Sequence, residues 1–250
     1  MKSIFSFILF FCIGTNVFSQ DINVLLKEAE RLEAVPNEVA ALNKLKEALV
    51  VQPANIHALS KSSELCSRIG TRQANPKDRD NYFIAALTYA QRAIAISPLN
   101  DKANVSMAMI VGKSSMTKSG KEKIKSAKEV KRLLDIAIRS NPNNWLAWHI
   151  LGRWNYEISN VSSIERAAAR MFYSALPEGS LSNSIMYLEK AKSLSPRFAL
   201  NTFELAKAYH RNDDNVKAVS LLKSLQALPI GTEDDPMIKT QALKLIQSWE

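Results

Sequence analysis

Apolar residues recur along the chain at helical steps of three and four, and the runs stop at prolines. Four segments end alike: Ala48-Leu-Val-Val-Gln-Pro53, Ala93-Ile-Ala-Ile-Ser-Pro98, Ala137-Ile-Arg-Ser-Asn-Pro142 and Ala191-Lys-Ser-Leu-Ser-Pro196. Three residues before each alanine stands Leu45, Ala90, Leu134 or Leu188. Proline biases its predecessor away from the α region, so each segment reads as a helix stopped at a fixed point. Asn55, Asn100 and Asn144 stand two residues past three of these prolines, where an asparagine caps the next helix. The small alanine allows a neighbouring helix to approach closely.

Trp148, Leu151 and Gly152 form W-x-x-L-G, the opening of a tetratricopeptide (TPR) helix pair. Leu205-Ala206-x-x-Tyr209 opens a later pair, whose second helix, from Val216 to Leu228, is closed by Pro229. The pattern predicts an all-α, TPR-like superhelix of about five helix pairs. The pairs end near residues 53, 98, 142, 196 and 229, in one repeat domain over 20–250. Asp21 to Ala34 and Glu38 to Gln52 form the first pair. Glu233 to Trp249 is a capping helix with Leu243, Ile246 and Trp249 facing inward. Proline-to-proline spacings of 45, 44, 54 and 33 exceed or approach the usual ~34, so most repeats carry insertions. These fall at a polar loop from Gly70 to Asp80, a break from Met116 to Lys121, and an extra helix between Val161 and Leu176. That helix is expected to pack on the array through Ile164, Ala167, Ala168, Met171, Phe172 and Ala175. Trp148, Leu151, Gly152, Leu205, Ala206 and Tyr209 are expected in the core.

Residues 1–19 stand apart. Lys2 precedes an apolar run from Ile4 to Gly14, and Val17 and Ser19 suit cleavage before Gln20, as in a secretory signal peptide. As a helix, Ile4 to Val17 would reach roughly 21 Å, short of a ~30 Å bilayer core. The expected address is periplasmic or secreted. Cleavage removes Cys12, leaving Cys66 as a buried thiol without a disulfide partner, and no later run is long and apolar enough to span a membrane.

The chain carries a formal charge of +9, which favours an anionic partner or is simply the charge of a basic protein. Much of it lies on Lys121, Lys123, Lys125, Lys128, Lys131 and Arg132. That stretch reads as one solvated helix face or as a patch for an anionic surface. It holds no aromatic residue to stack on bases, so nucleic acid is not the expected partner. No H-E-x-x-H, G-x-S-x-G or phosphate-loop motif occurs, and His57, His149 and His210 are far apart in the chain. Asp213-Asp214-Asn215 reads as a turn with a helix cap rather than a calcium loop. No cofactor, metal site or catalytic group is expected.

The run Leu151-Gly152-Arg153-Trp154, then Glu165-Arg166, Ala167 to Phe172 and Pro177, resembles the regulator of microtubule dynamics family of TPR-like proteins. Leu188-x-x-Ala191-x-x-x-x-Pro196 and Leu205-Ala206-Lys207-x-Tyr209 continue the likeness, which is strongest from Asn141 to Pro229. The resemblance implies a helical superhelix that binds rather than catalyses. Eukaryotic relatives are associated with microtubules, whereas the leader makes this chain look like an exported, bacterial-type member.

In TPR proteins the first helix of each pair lines a concave face. Positions four, seven, eleven and fourteen after the closing proline carry that face here onto Leu146, His149, Arg153 and Tyr156, then Leu200, Phe203, Lys207 and His210. His57, Ser60, Glu64 and Ser67, and Lys102, Val105, Met109 and Gly112, are the corresponding sets in earlier pairs. A groove of apolar, aromatic and basic residues suits a protein or peptide partner with an acidic group. The alternative occupant is a lipid or other anionic amphiphile, its chain on Leu146, Leu200 and Phe203 and its head near Arg153 and Lys207.

Overall fold

The structure, a computed structural model, describes residues 21–115 and 118–250. The leader residues 1–19 lie outside that range. The described residues form twelve helices and no strand: α1 (Ile22–Ala34), α2 (Glu38–Val51), α3 (Ile56–Arg72), α4 (Pro76–Ile96), α5 (Asp101–Ser115), α6 (Gly120–Ser140), α7 (Trp145–Ser159), α8 (Ser163–Phe172), α9 (Leu181–Leu194), α10 (Ala199–Arg211), α11 (Asn215–Gln226) and α12 (Asp235–Trp249). Packing is pairwise, α1 on α2, α3 on α4, α5 on α6, α7 on α9 and α10 on α11, with α12 closing the array and α8 inserted in the fourth pair. This is the all-α TPR-like superhelix expected from the repeat.

The repeat positions carry the packing. Ala48, Ala93, Ala137 and Ala191 are all fully buried, as are Ala90, Leu134 and Leu188 three residues before them, with Leu45 almost so. α2, α4, α6 and α9 each stop two residues before a proline. Asparagines then start the next helices: Asn55, Asn100 and Asn144 accept from the backbone N–H groups of Ala58, Ala103 and Ala147 at 2.9–3.0 Å. Such a cap is worth about 1 kcal/mol. Leu151, Gly152, Leu205 and Ala206 are buried; Trp148 and Tyr209 are half-buried at the edges of the same clusters. Cys66 is buried, and burial pushes its thiol pKa up to about 11, which keeps it from ionising near neutrality. Asp213 takes the left-handed φ of 60° and Asp214 caps α11, the turn-and-cap arrangement expected of that run.

Three local expectations are corrected. The polar loop placed at 70–80 shrinks to Gln73–Asn75, because α3 runs on to Arg72 and Asn75 with Pro76 at the first helical turn starts α4 early. Gly70 lies inside α3 and lets α4 approach closely, since a Cβ there would stand 2.9 Å from Tyr82 and Phe83. The extra helix forms as α8, yet no residue of it is buried, so it does not pack on the array through its apolar side. In α12 the inward stripe is Ile238, Ala242 and Ile246. Leu243, one residue or ~100° around from Ala242, is 50% exposed.

The first two pairs also meet the turn that precedes the final helix. The backbone N–H of Glu38, at the start of α2, donates to Glu233 Oε1 at 2.8 Å, across 195 residues. Arg72 at the end of α3 reaches Glu233 and Asp234, both at 3.1 Å. Side chains of the turn before α12 thus reach the start of α2 and the end of α3.

Candidate functional site

The inner side is built by the first helices of the pairs, and its central part by α7 and α10. Arg153 on α7 and Lys207 on α10 converge, as their equivalent repeat positions require. The group they converge on belongs to the chain: Glu204 lies 3.5 Å from Arg153 Nε and 3.0 Å from Lys207 Nζ. Burial pushes the Glu204 carboxyl up, but Arg153 and then Lys207 outweigh it and hold the group below the usual carboxylate range. Lys207 also stands over the Tyr156 ring at 5.5 Å and the Phe203 ring at 5.7 Å. Lys113 of α5 adds a third cation. Burial lowers its pKa, Arg153 lowers it further, and Asp234 opposes both. Two cations thus share one carboxylate, Glu204, while Lys113 feels Arg153 on one side and Asp234 on the other.

Leu146, Arg153, Tyr156, Leu200, Lys207 and His210 keep part of their surface open. His149 and Phe203 do not, which corrects their expected place in the groove lining. Phe203 belongs to the core shared by α10, α11 and α12. His149 is 2% exposed, its Nδ1 2.9 Å from Asn201 Oδ1 and its ring edge-on to Phe198 at 5.1 Å. The Asn201 amide donates to the Leu188 carbonyl, so its oxygen faces the imidazole and Nδ1 carries the proton. His210 stacks on Trp249 at 3.8 Å and turns its Nδ1 to Asn215, leaving one edge of the ring open. In the earlier pairs Ser60, Ser67 and Val105 are buried, while Glu64 is taken up by Lys61 and Arg68.

A second charged cluster was not foreseen. Glu38 is completely buried and paired with both Arg68 and Arg72; Arg68 also holds Glu33 and Glu64. Its only sign in the sequence is the repeat of arginine at one helical step, Arg68 and Arg72.

The basic helix α6 lies on the opposite, outer side of the third pair. Lys121, Lys123, Lys125, Lys128 and Arg132 are exposed. Lys131 is neutralised by Asp135 at 2.8 Å and Arg132 by Glu129 at 2.7 Å. Lys121, Lys123 and Lys125 have no carboxylate at ion-pair distance among the described residues. Two surface clefts, of about 430 and 370 Å³, lie elsewhere, beside Val216 and Trp249 and beside Arg166 and Ser180.

His149 makes the fold sensitive to pH. Burial first, then Arg153, pushes its pKa down to about 4 from an ordinary 6.5. Above 6.5 the imidazole is neutral whether the chain is folded or not. Below that, the unfolded chain takes up a proton that the folded chain refuses until about pH 4. Folding should therefore lose roughly 3 kcal/mol from this residue as pH falls through that window. Thermal melts should show a shallower loss across the window for His149→Gln than for the parent; parallel curves would mean the imidazole is not held neutral.

Residues 25–250 match the sequence model of the family described as "Regulator of microtubule dynamics protein 1-3". The chain belongs to this family. It is 24% identical over 209 residues to regulator of microtubule dynamics protein 1 of Caenorhabditis elegans, covering 84% of this chain and 92% of that protein. Human regulator of microtubule dynamics protein 2 is 26% identical over 175 residues, 70% of this chain but 43% of its own length. Human protein 1 is 26% identical, with 52% of its length matched, so this chain spans about half of its human relatives. The fold is shared with a thermophilic TPR protein of Thermus thermophilus, at a TM-score of 0.62, 16% identity, and coverage of 89% of this chain and 99% of the other.

Proposed function

We propose that this family member is a non-catalytic, exported scaffold that holds a protein segment across α7 and α10, receiving an acidic side chain between Arg153 and Lys207. The carrying observation is the convergence of these two cations, with Lys113 nearby, on the single carboxylate of Glu204. The cluster keeps an excess of positive charge beside the partly open Leu146, Tyr156 and Leu200. An acidic residue flanked by apolar ones suits that surface, as in groove recognition of extended or helical peptides. The apolar leader supports export, which gives a partner outside the cytoplasm; the relatives' names point to microtubules, which such a chain would not meet. Sequencing the mature amino terminus tests the address, with a start near Gln20 expected and retained Met1 refuting it.

The groove is tested by selecting displayed peptides on the purified chain and measuring the affinity of those enriched. Reversing Arg153 and Lys207 alone would strand the buried Glu204 charge. The informative variant is Arg153→Gln, Glu204→Gln, Lys207→Gln together, which removes the cluster without leaving one ion behind. Enriched peptides should carry Asp or Glu beside apolar residues and lose about tenfold or more in affinity to the variant. Equal affinity for both proteins, or loss instead on Lys123→Glu, Lys128→Glu, would remove the groove from consideration.

A further inference from the structure

α8 is the most sharply two-sided helix of the chain, and its apolar side faces outward. Ile164, Met171 and Phe172 are 80%, 79% and 69% exposed. They are joined by Ala168 at steps of four, three and four, which line one helix face. The helix is nevertheless well made and held in place. Ser162 and Glu165 form a reciprocal cap at its start, and Arg166 donates to the carbonyls of Val161 and Ile158. At its far end Tyr173 lies against Gly120, the first residue of α6, so closely that a Cβ on that glycine would stand 3.0 Å from the ring. Lys128 donates to Ser174 at 3.3 Å, and Lys123 acts electrostatically on Glu165. The exposed stripe therefore lies beside Lys123 and Lys128 of α6.

We propose that this surface, the outer face of α8 with Lys123 and Lys128 at its border, docks the protein onto an anionic phospholipid surface. Ile164, Met171 and Phe172 would enter the boundary between headgroups and acyl chains, and the ammonium groups would meet lipid phosphates. An ordered amphipathic helix with bulky apolar residues on one side and cations at the margin has the chemistry of an interfacial helix. Charge chooses between occupants. Two copies joined back to back through α8 would bring Lys123 and Lys128 of each together, which repel. A nucleic acid would satisfy the lysines but leave Ile164 and Met171 without an apolar partner. The anionic bilayer satisfies both halves of the surface. This inference is independent of the groove on α7 and α10, which lies on the inner side.

The test uses residues 21–250, which retain every described helix together with the Asp21 cap of α1; a cooperative melt checks that this chain is folded. Co-sedimentation is measured with phosphatidylcholine vesicles and with vesicles in which a third of the lipid is phosphatidylglycerol. Partitioning should be about tenfold or more stronger onto the anionic vesicles and should weaken with salt. Met171→Glu with Phe172→Glu should lower it by about tenfold, and Lys123→Glu with Lys128→Glu should remove the preference for phosphatidylglycerol. All four side chains are exposed, so melting should not change and any loss reads the surface rather than the fold. Equal partitioning onto both vesicles, or variants that sediment like the parent, would overturn the proposal. So would a dimer dispersed by the α8 variant, which would make a second copy the occupant. A single-stranded oligonucleotide bound by the parent and lost by the same variants, without vesicle binding, would overturn it in favour of nucleic acid.

Discussion

Gly152→Leu should lower stability by about 3 kcal/mol, the upper part of the range for overpacking. In a chain of this size that is roughly 6–12 °C in Tm. The reason is the closeness of α7 to α9. A Cβ at residue 152 would stand 2.6 Å from Leu188 Cγ and 3.1 Å from the Leu188 backbone nitrogen. Leu188 cannot swing aside freely, because it is itself fully buried against Leu205 and Ala208 of the next pair. The backbone nitrogen can move only if α9 moves. Gly152→Ala already places the offending atom and should show much of the effect, so the loss tracks the first carbon rather than total volume. Melting and far-ultraviolet circular dichroism check it. An unchanged Tm for both variants would mean that α7 and α9 are farther apart than described.

That result was legible beforehand, because it rests on the repeat itself. The alanine-to-proline spacing placed the ends of α2, α4, α6 and α9, and the asparagines after the prolines proved to be the caps. Local chemistry determines both: proline blocks the continuing helix, and asparagine takes the first free N–H groups. What a helix faces is a different kind of information. The apolar positions of α8 announced an amphipathic helix correctly, but periodicity does not say whether the apolar side meets protein. His149 and Phe203 were placed by repeat register on the groove wall. They are buried because Phe198 and Asn201 close over the first, and α11 with α12 close over the second, contacts outside the repeat pattern. Arg153 and Lys207 were rightly paired. That their shared carboxylate is Glu204 of the same helix as Lys207 could have been read from the i, i+3 spacing of Glu204 and Lys207. The contact between Glu38, Arg72, Glu233 and Asp234 had no such local signal. Its ends are 195 residues apart, and each charge alone reads as a solvated surface group.

Glu38→Ala should cost about 3–5 kcal/mol, the range for removing one partner from a buried ion pair. Glu38 is completely enclosed, and its carboxylate serves Arg68 and Arg72 together, while its own N–H is held by Glu233. It also sits at the first position of α2, where a negative charge favours the helix N-terminus. Arg68 retains Glu33 and Glu64, and Arg72 retains Glu233 and Asp234, so the lower part of the range is the better expectation. Glu38→Gln keeps the shape and removes the charge, and should recover little. The consequence reaches beyond one pair of helices. In an open array each pair touches only its neighbours, and unfolding can begin at either end. Here Glu38 of pair one and Arg72 of pair two are both tied to the turn before α12, so both ends are restrained by one cluster. Breaking it should broaden the thermal transition and speed amide exchange in the first turns of both α2 and α12, far apart in sequence. Faster exchange confined to α2 would show that the ends fray independently and that the contact with Glu233 and Asp234 does not couple them. Because the carboxylate is enclosed, added salt should not reproduce the effect in the parent protein, whereas it would if the pairs were ordinary surface bridges.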